Sequence, residues 1–144
     1  MVTTRFVAKA LILDAGGLFL RLTRSDSHPF LGGLYDLPGG MVEAGEEPGE
    51  ALVREIKEET SLLIESGRPQ VVYATTHFLH GSSYPTLLYV VQLDENRPSV
   101  AVSYEHKAAD WVAIDALADI EPHIAPTYRE ALRYLREHTI IAGI

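Results

Sequence analysis

The sequence predicts an α/β fold, a mixed sheet flanked by helices. Three observations carry that prediction. Short apolar segments at residues 5–13, 18–23, 34–37, 71–80, 86–93 and 109–114 read as strands, most of them bounded by Gly, Pro, Asp, Asn or Ser. Two longer stretches, 48–60 and 126–138, begin with proline and gather their apolar residues on one side, as helices do. The resulting order, β-β-β-α-β-β-β-α, suits a sheet covered by helices on both faces. A chain of 144 residues that is 47% apolar has the length and composition of one ordinary domain, spanning 1–144.

Taken in order, 5–13 (RFVAKALIL) is a buried strand that ends at the turn Asp14-Ala15-Gly16-Gly17. Residues 18–23 (LFLRLT) form a hairpin with it. Arg21 and Arg24 lie on or just after this second strand. Most such arginines are surface charges, but a guanidinium also matches phosphate bidentately, so both are candidate substrate-binding residues. Residues 25–33 are polar and turn-rich, hence a loop. The short strand 34–37 runs into Pro38-Gly39-Gly40, which reads as a sharp turn.

Pro48 opens a helix that runs to about Thr60, with Ala51, Leu52 and Ile56 on one face. Glu55, Glu58 and Glu59 fall at i, i+3 and i+4 and share another face. Acidic runs usually face solvent. Three carboxylates beside a glycine turn also suit a hard divalent cation, which takes oxygen ligands, and glycine lets a backbone carbonyl approach. Beyond the helix, Ser66-Gly67-Arg68-Pro69 breaks the chain. Residues 71–80 and 86–93 are long strands joined by a loop of medium length, 81–85. His77 and His80 sit three apart on a strand and so point to opposite faces, which argues against a shared metal. Residues 94–99 form a loop, 109–114 a strand carrying Trp111, read as a core residue, and 126–138 an amphipathic helix.

The order Gly40, five residues, Glu46, seven residues, then Arg54-Glu55-Ile56-Lys57-Glu58-Glu59-Thr60-Ser61-Leu62 resembles the signature of the Nudix hydrolases. That signature is G-x5-E-x7-R-E-U-x-E-E-x-G-U, with U a bulky aliphatic. Six of its seven fixed positions and both U positions match, and the departure is Ser61 in place of glycine. A glycine there closes the helix in the left-handed conformation, so Ser61 bears on the helix exit more than on the chemistry. The resemblance implies a Nudix-like α/β/α sandwich. It also implies hydrolysis of a pyrophosphate bond in a nucleoside diphosphate linked to another moiety, with Mg²⁺ or Mn²⁺ as cofactor. Glu55, Glu58, Glu59 and the Gly40 carbonyl are then the metal ligands. Arg54 pairs with a carboxylate such as Glu46 and orients the site, and Glu55 or Glu105 serves as general base. Glu105 enters because the family often carries an acidic residue a few positions before a tryptophan-bearing strand.

The expected substrate is a small (deoxy)nucleoside triphosphate. An ADP-sugar comes next, although the proline that many ADP-ribose-type members carry about 15 residues past the signature is Thr76 here. A nucleotide-sensing module that has lost hydrolysis would show a broken carboxylate set, and here the set is intact. The net charge of −8 argues against binding to nucleic-acid backbones, while a bound cation would still admit a polyphosphate. With no cysteine, disulfides, thiolate metal sites and a cysteine nucleophile are excluded. The apolar run 6–13 is interrupted by Lys9 and is too short to span a bilayer, so no membrane or targeting role is expected. A cytoplasmic location completes the expectations; the oligomeric state stays open, with a homodimer admitted by the resemblance because many members of the family dimerise.

Overall fold

The computed structural model describes residues 3–28 and 32–113, together with Arg129, Arg133 and Glu137. Its elements are β1 (Val7–Leu13), β2 (Phe19–Arg24), β3 (Tyr35–Asp36), β4 (Gly39–Met41), α1 (Pro48–Thr60), β5 (Gln70–Leu79), β6 (Ser82–Gln92) and β7 (His106–Val112). The strands form one mixed sheet with the path β3-β2-β1-β6-β5, with β4 on β1 and β7 on β2. The helix expected over 126–138 lies outside the described residues, except that Arg129, Arg133 and Glu137 are each helical.

β1 organises the sheet. It runs parallel to β6 over its whole length, from Val7↔Thr86 to Leu13↔Gln92. Six of its seven residues are buried, as its nearly unbroken apolar sequence requires. Its hairpin with β2 is real but pairs only at Leu13↔Phe19. Beyond that point the two strands diverge, and the segment from β3 to β4 fills the gap. β3 pairs with β2 through Leu22↔Asp36 and Thr23↔Tyr35, and β4 pairs with β1 through Val7↔Met41, Ala8↔Gly40 and Lys9↔Gly39.

Here the expectation of a simple turn at residues 38–40 is corrected: after a bend at Pro38, both glycines lie in strand β4, Gly39–Met41. Gly39 takes φ +127° and passes so close to β1 that a side chain would overlap the Ala8 carbonyl oxygen. Glycine therefore permits the pairing as well as the bend. The β5–β6 connection is also tighter than a five-residue loop. His80 (φ 50°) and Gly81 (φ 79°) are both left-handed, the conformation that a two-residue hairpin turn needs.

α1 lies on the sheet through Ala51, Leu52 and Ile56, all fully buried. They pack with Ala8, Ala10 and Ile12 of β1, Leu20 and Leu22 of β2, and Val91 of β6. Burying Leu52 and Ile56 stabilises the helix dock by about 2 kcal/mol each. The helix exits through Ser61 at φ 65°, ψ 7°, whose N–H donates to the Lys57 carbonyl. Serine thus adopts the left-handed cap that the family glycine would supply. Trp111 packs at the margin of the core and donates its indole N–H to the Pro98 carbonyl at 3.2 Å.

Candidate active site

A cleft of about 590 Å³ opens where β1, β4 and the carboxylate end of α1 meet the start of β7. It is bordered by Gly40, Glu55, Glu58, Glu59, Glu105 and Arg24 among the residues singled out in the sequence. Lys9, Asp36 and His106 border it too, and none of the three was found by sequence reasoning.

The acidic face of α1 is graded. The side chain of Glu58 is 58% exposed, that of Glu55 19% and that of Glu59 only 6%. Glu59 is tied to the sheet, since Oε1 accepts a hydrogen bond from the Gly39 N–H at 2.7 Å. Burial pushes its carboxyl up to about 7, against the opposing pull of Lys9 and the Gly39 N–H. Burial likewise raises Glu55, opposed by Arg54. Gly40 faces Glu55 so closely that a β-carbon would lie 2.6 Å from its carboxylate carbon. The bare backbone at Gly40 is therefore what leaves room for this carboxylate.

Arg54 binds the box together. Its Nε and one terminal nitrogen grip Glu46 in a two-pronged pair at 2.7 and 2.9 Å. The other terminal nitrogen reaches Glu55 at 3.1 Å and Glu58 at 3.4 Å, and a further hydrogen bond goes to the Met41 carbonyl at 3.2 Å. This fork holds the Glu46 carboxyl down at about 2. The orienting role expected for Arg54 has its geometry here: one side chain fixes the loop after β4 and two of the three helix carboxylates.

Beneath the cleft lies a buried charge cluster. The Lys9 ammonium sits 3.2 Å from Asp36 Oδ2 and donates to the Leu37 carbonyl at 3.1 Å. Arg24 donates from Nε to the same Asp36 oxygen at 3.1 Å, and the Leu37 N–H donates to Oδ1 at 2.8 Å. Burial alone would raise the Asp36 carboxyl, but the Lys9 and Arg24 cations beside it outweigh that and hold the group well below the usual carboxylate range. Arg24 thus brings positive charge to the cleft wall with Nε already engaged. Arg21 is placed elsewhere: it lies over the Tyr35 ring at 3.9 Å and pairs with Asp110 of β7 at 3.2 Å. Glu105 is exposed at the rim, in the turn before β7. His77 borders the cleft while His80 forms the hairpin turn, so the two histidines do not meet.

Among the described residues, no three His, Asp or Glu side chains are gathered as a ready-made ligand cluster. The donor set nevertheless fits a hard cation. Three carboxylates border one cleft, one of them in a cradle that only glycine leaves open.

The family model of the NUDIX domain matches residues 3–135, and the chain belongs to that family. A stretch of 42 residues, 29% of this chain, is 55% identical to an ADP-ribose pyrophosphatase of Methanocaldococcus jannaschii. That match spans 24% of the length of the relative. The MutT protein of Methanosarcina mazei Go1 is similar in structure, with a TM-score of 0.84, 24% identity and coverage of 96% of each chain. A bifunctional NMN adenylyltransferase/ADP ribose pyrophosphatase of Francisella tularensis, solved with AMP and a manganese ion, aligns with a TM-score of 0.80 at 18% identity. It covers 96% of this chain and 42% of its own. These two structural likenesses establish the fold.

Proposed function

We propose that this chain hydrolyses a pyrophosphate bond in a nucleoside diphosphate derivative, with Mg²⁺ or Mn²⁺ as cofactor. The observation that carries the reading is the convergence of Glu55, Glu58, Glu59 and Gly40 on one cleft, held in place by the Arg54 fork. Glu55, Glu58, Glu59 and the Gly40 carbonyl would hold the cation. When bound, it neutralises phosphate oxygens and acidifies water.

The remaining roles belong to the protein. Arg54 keeps Glu55 and Glu58 aimed at the cleft. Arg24 adds fixed positive charge to the wall that faces an anionic substrate. The water that attacks phosphorus must lose a proton. Glu105 at the rim and Glu55 on the helix are the two carboxylates assigned to accept it. In a chain of net charge −8, the cation and Arg24 are what would draw an anionic nucleotide to this cleft.

The substrate is first a (deoxy)nucleoside triphosphate. An ADP-sugar is the second reading, favoured by the 42-residue match to an ADP-ribose pyrophosphatase. A panel of nucleotides incubated with Mg²⁺ separates them by product. A triphosphate yields a nucleotide plus pyrophosphate or orthophosphate, while ADP-ribose yields AMP and ribose phosphate. Release from neither class, in the presence of Mg²⁺ or Mn²⁺, would overturn the proposal.

A further inference from the structure

His106 opens β7 directly across from Arg24 of β2 and is buried at the cleft floor, its side chain 1% exposed. Both of its ring nitrogens are buried without a hydrogen-bond partner. An imidazole always carries at least one N–H, and a buried donor with no acceptor costs about 1–3 kcal/mol. An orphan of this kind in a cleft calls for a partner.

Two acceptors are close. Nε2 stands 3.7 Å from Asp36 Oδ2 and 3.8 Å from Glu59 Oε2. They are not equivalent. Asp36 already accepts from Lys9, from Arg24 and from the Leu37 N–H. Glu59 accepts one hydrogen bond, at Oε1 from Gly39, and among the described residues its Oε2 accepts none. The oxygen that lacks a donor therefore faces the nitrogen that lacks an acceptor. A shift of somewhat under 1 Å brings the pair to ordinary hydrogen-bond length.

We infer that His106 is a positioning residue whose Nε2–H donates to Glu59 Oε2. With the Gly39 N–H on Oε1, it fixes the plane of this carboxylate and leaves the second lone pair of each oxygen for a cation in the cleft. The inference rests on the reading of Glu59 as a metal ligand. Partners that hold a ligating carboxylate from behind typically change metal affinity by 10–100-fold when removed.

The test is Mn²⁺ binding by calorimetry, without nucleotide, to wild type and to His106→Leu, His106→Gln and His106→Asn. Leucine keeps bulk and removes the donor. Glutamine places an N–H near the reach of Nε2, whereas asparagine falls short of it. The inference predicts at least a 10-fold loss of Mn²⁺ affinity for leucine and asparagine, with glutamine within about 3-fold of wild type. Under saturating Mn²⁺ the KM for nucleotide stays near wild type in all three. Equal Mn²⁺ affinity in wild type and His106→Leu overturns the inference and leaves the metal reading standing. Unchanged Mn²⁺ affinity with a raised KM overturns it in favour of a direct substrate contact. If His106→Leu does not fold, the contrast between glutamine and asparagine decides, and equal affinities for those two overturn it. Failure of wild type to bind Mn²⁺ at all overturns both the inference and the reading beneath it.

Discussion

Asp36→Asn tests the buried charge cluster that supports the cleft. Asp36 is 2% exposed and faces two cations, Lys9 at 3.2 Å and Arg24 at 3.1 Å. At an effective dielectric near 20, each contact is worth about 5 kcal/mol before desolvation is subtracted. Asparagine keeps an acceptor for the Leu37 N–H but leaves the ammonium of Lys9 buried beside a neutral amide. Breaking a buried pair from one side costs about 3–5 kcal/mol, a large share of the 5–15 kcal/mol that typically holds a domain together. Lys9→Met conserves volume and leaves Asp36 with Arg24, so it should cost less, about 1–2 kcal/mol. The double variant should recover at least about 1 kcal/mol relative to the sum of the two. Urea melts followed by circular dichroism at pH 7 measure all four proteins. The sign of the pH effect follows from the Asp36 carboxyl being held below its ordinary range. A depressed folded value gives stability that is fully present above the unfolded value near 3.9 and fades as pH falls through the folded one. The gap between wild type and Asp36→Asn should therefore narrow below about pH 4. A variant within 1 kcal/mol of wild type at pH 7, or strict additivity in the cycle, would refute this account of the cluster.

Three further outcomes follow from single positions. Ser61→Gly should raise stability by up to about 0.5–1 kcal/mol in a thermal melt, because serine sits at φ 65°, with activity unchanged; a loss of stability would show that the serine itself supports the exit. Gly40→Ala should displace the Glu55 carboxylate, which a β-carbon would approach to 2.6 Å, and lower kcat by about 10-fold or more; near wild-type turnover would mean that the cradle is not used. Glu105→Gln should lower kcat and flatten the acid limb of the pH–rate profile if Glu105 is the base, whereas a change confined to KM assigns that role to Glu55.

The carboxylate box was legible because its chemistry lies on one helix, where spacing alone fixes which residues share a face. The helix itself, Pro48–Thr60, follows from the same local rules, whereas its left-handed exit through a serine does not, because those rules put glycine at that position. What the sequence hid depends on strand register. Lys9 looked like an interruption in an apolar strand, and only its pairing opposite Gly39, with Asp36 carried in on the same segment, shows why a lysine is buried there. A lone lysine in a strand otherwise fit for the core was the available signal, since a buried ammonium demands a carboxylate. The strand expected from the sequence begins only at residue 109, which leaves His106 outside it, whereas β7 begins at His106. The place of His106 on the cleft floor comes from its register against Arg24, 82 positions away in the chain. The same register separates Arg21 from the site: it pairs Arg21 with Asp110, so one arginine of β2 braces the sheet while the other borders the cleft. β4 was missed because glycine-rich segments read as turns, and only the close approach to Ala8 reveals why a strand here needs glycine.

The central claim is that the helix carboxylates act through their charge on a catalytic cation. Glu58→Gln and Glu59→Gln keep the shape of each side chain, and glutamine at 59 can still accept from the Gly39 N–H, so both variants should fold. With Mg²⁺ and the best nucleotide of the panel, each should lose at least about 10²-fold in kcat. Wild-type turnover should also vanish in chelator and return with Mg²⁺ or Mn²⁺. Folded variants of both residues that turn over at near the wild-type rate would contradict the claim and make the acidic face of α1 a solvated surface.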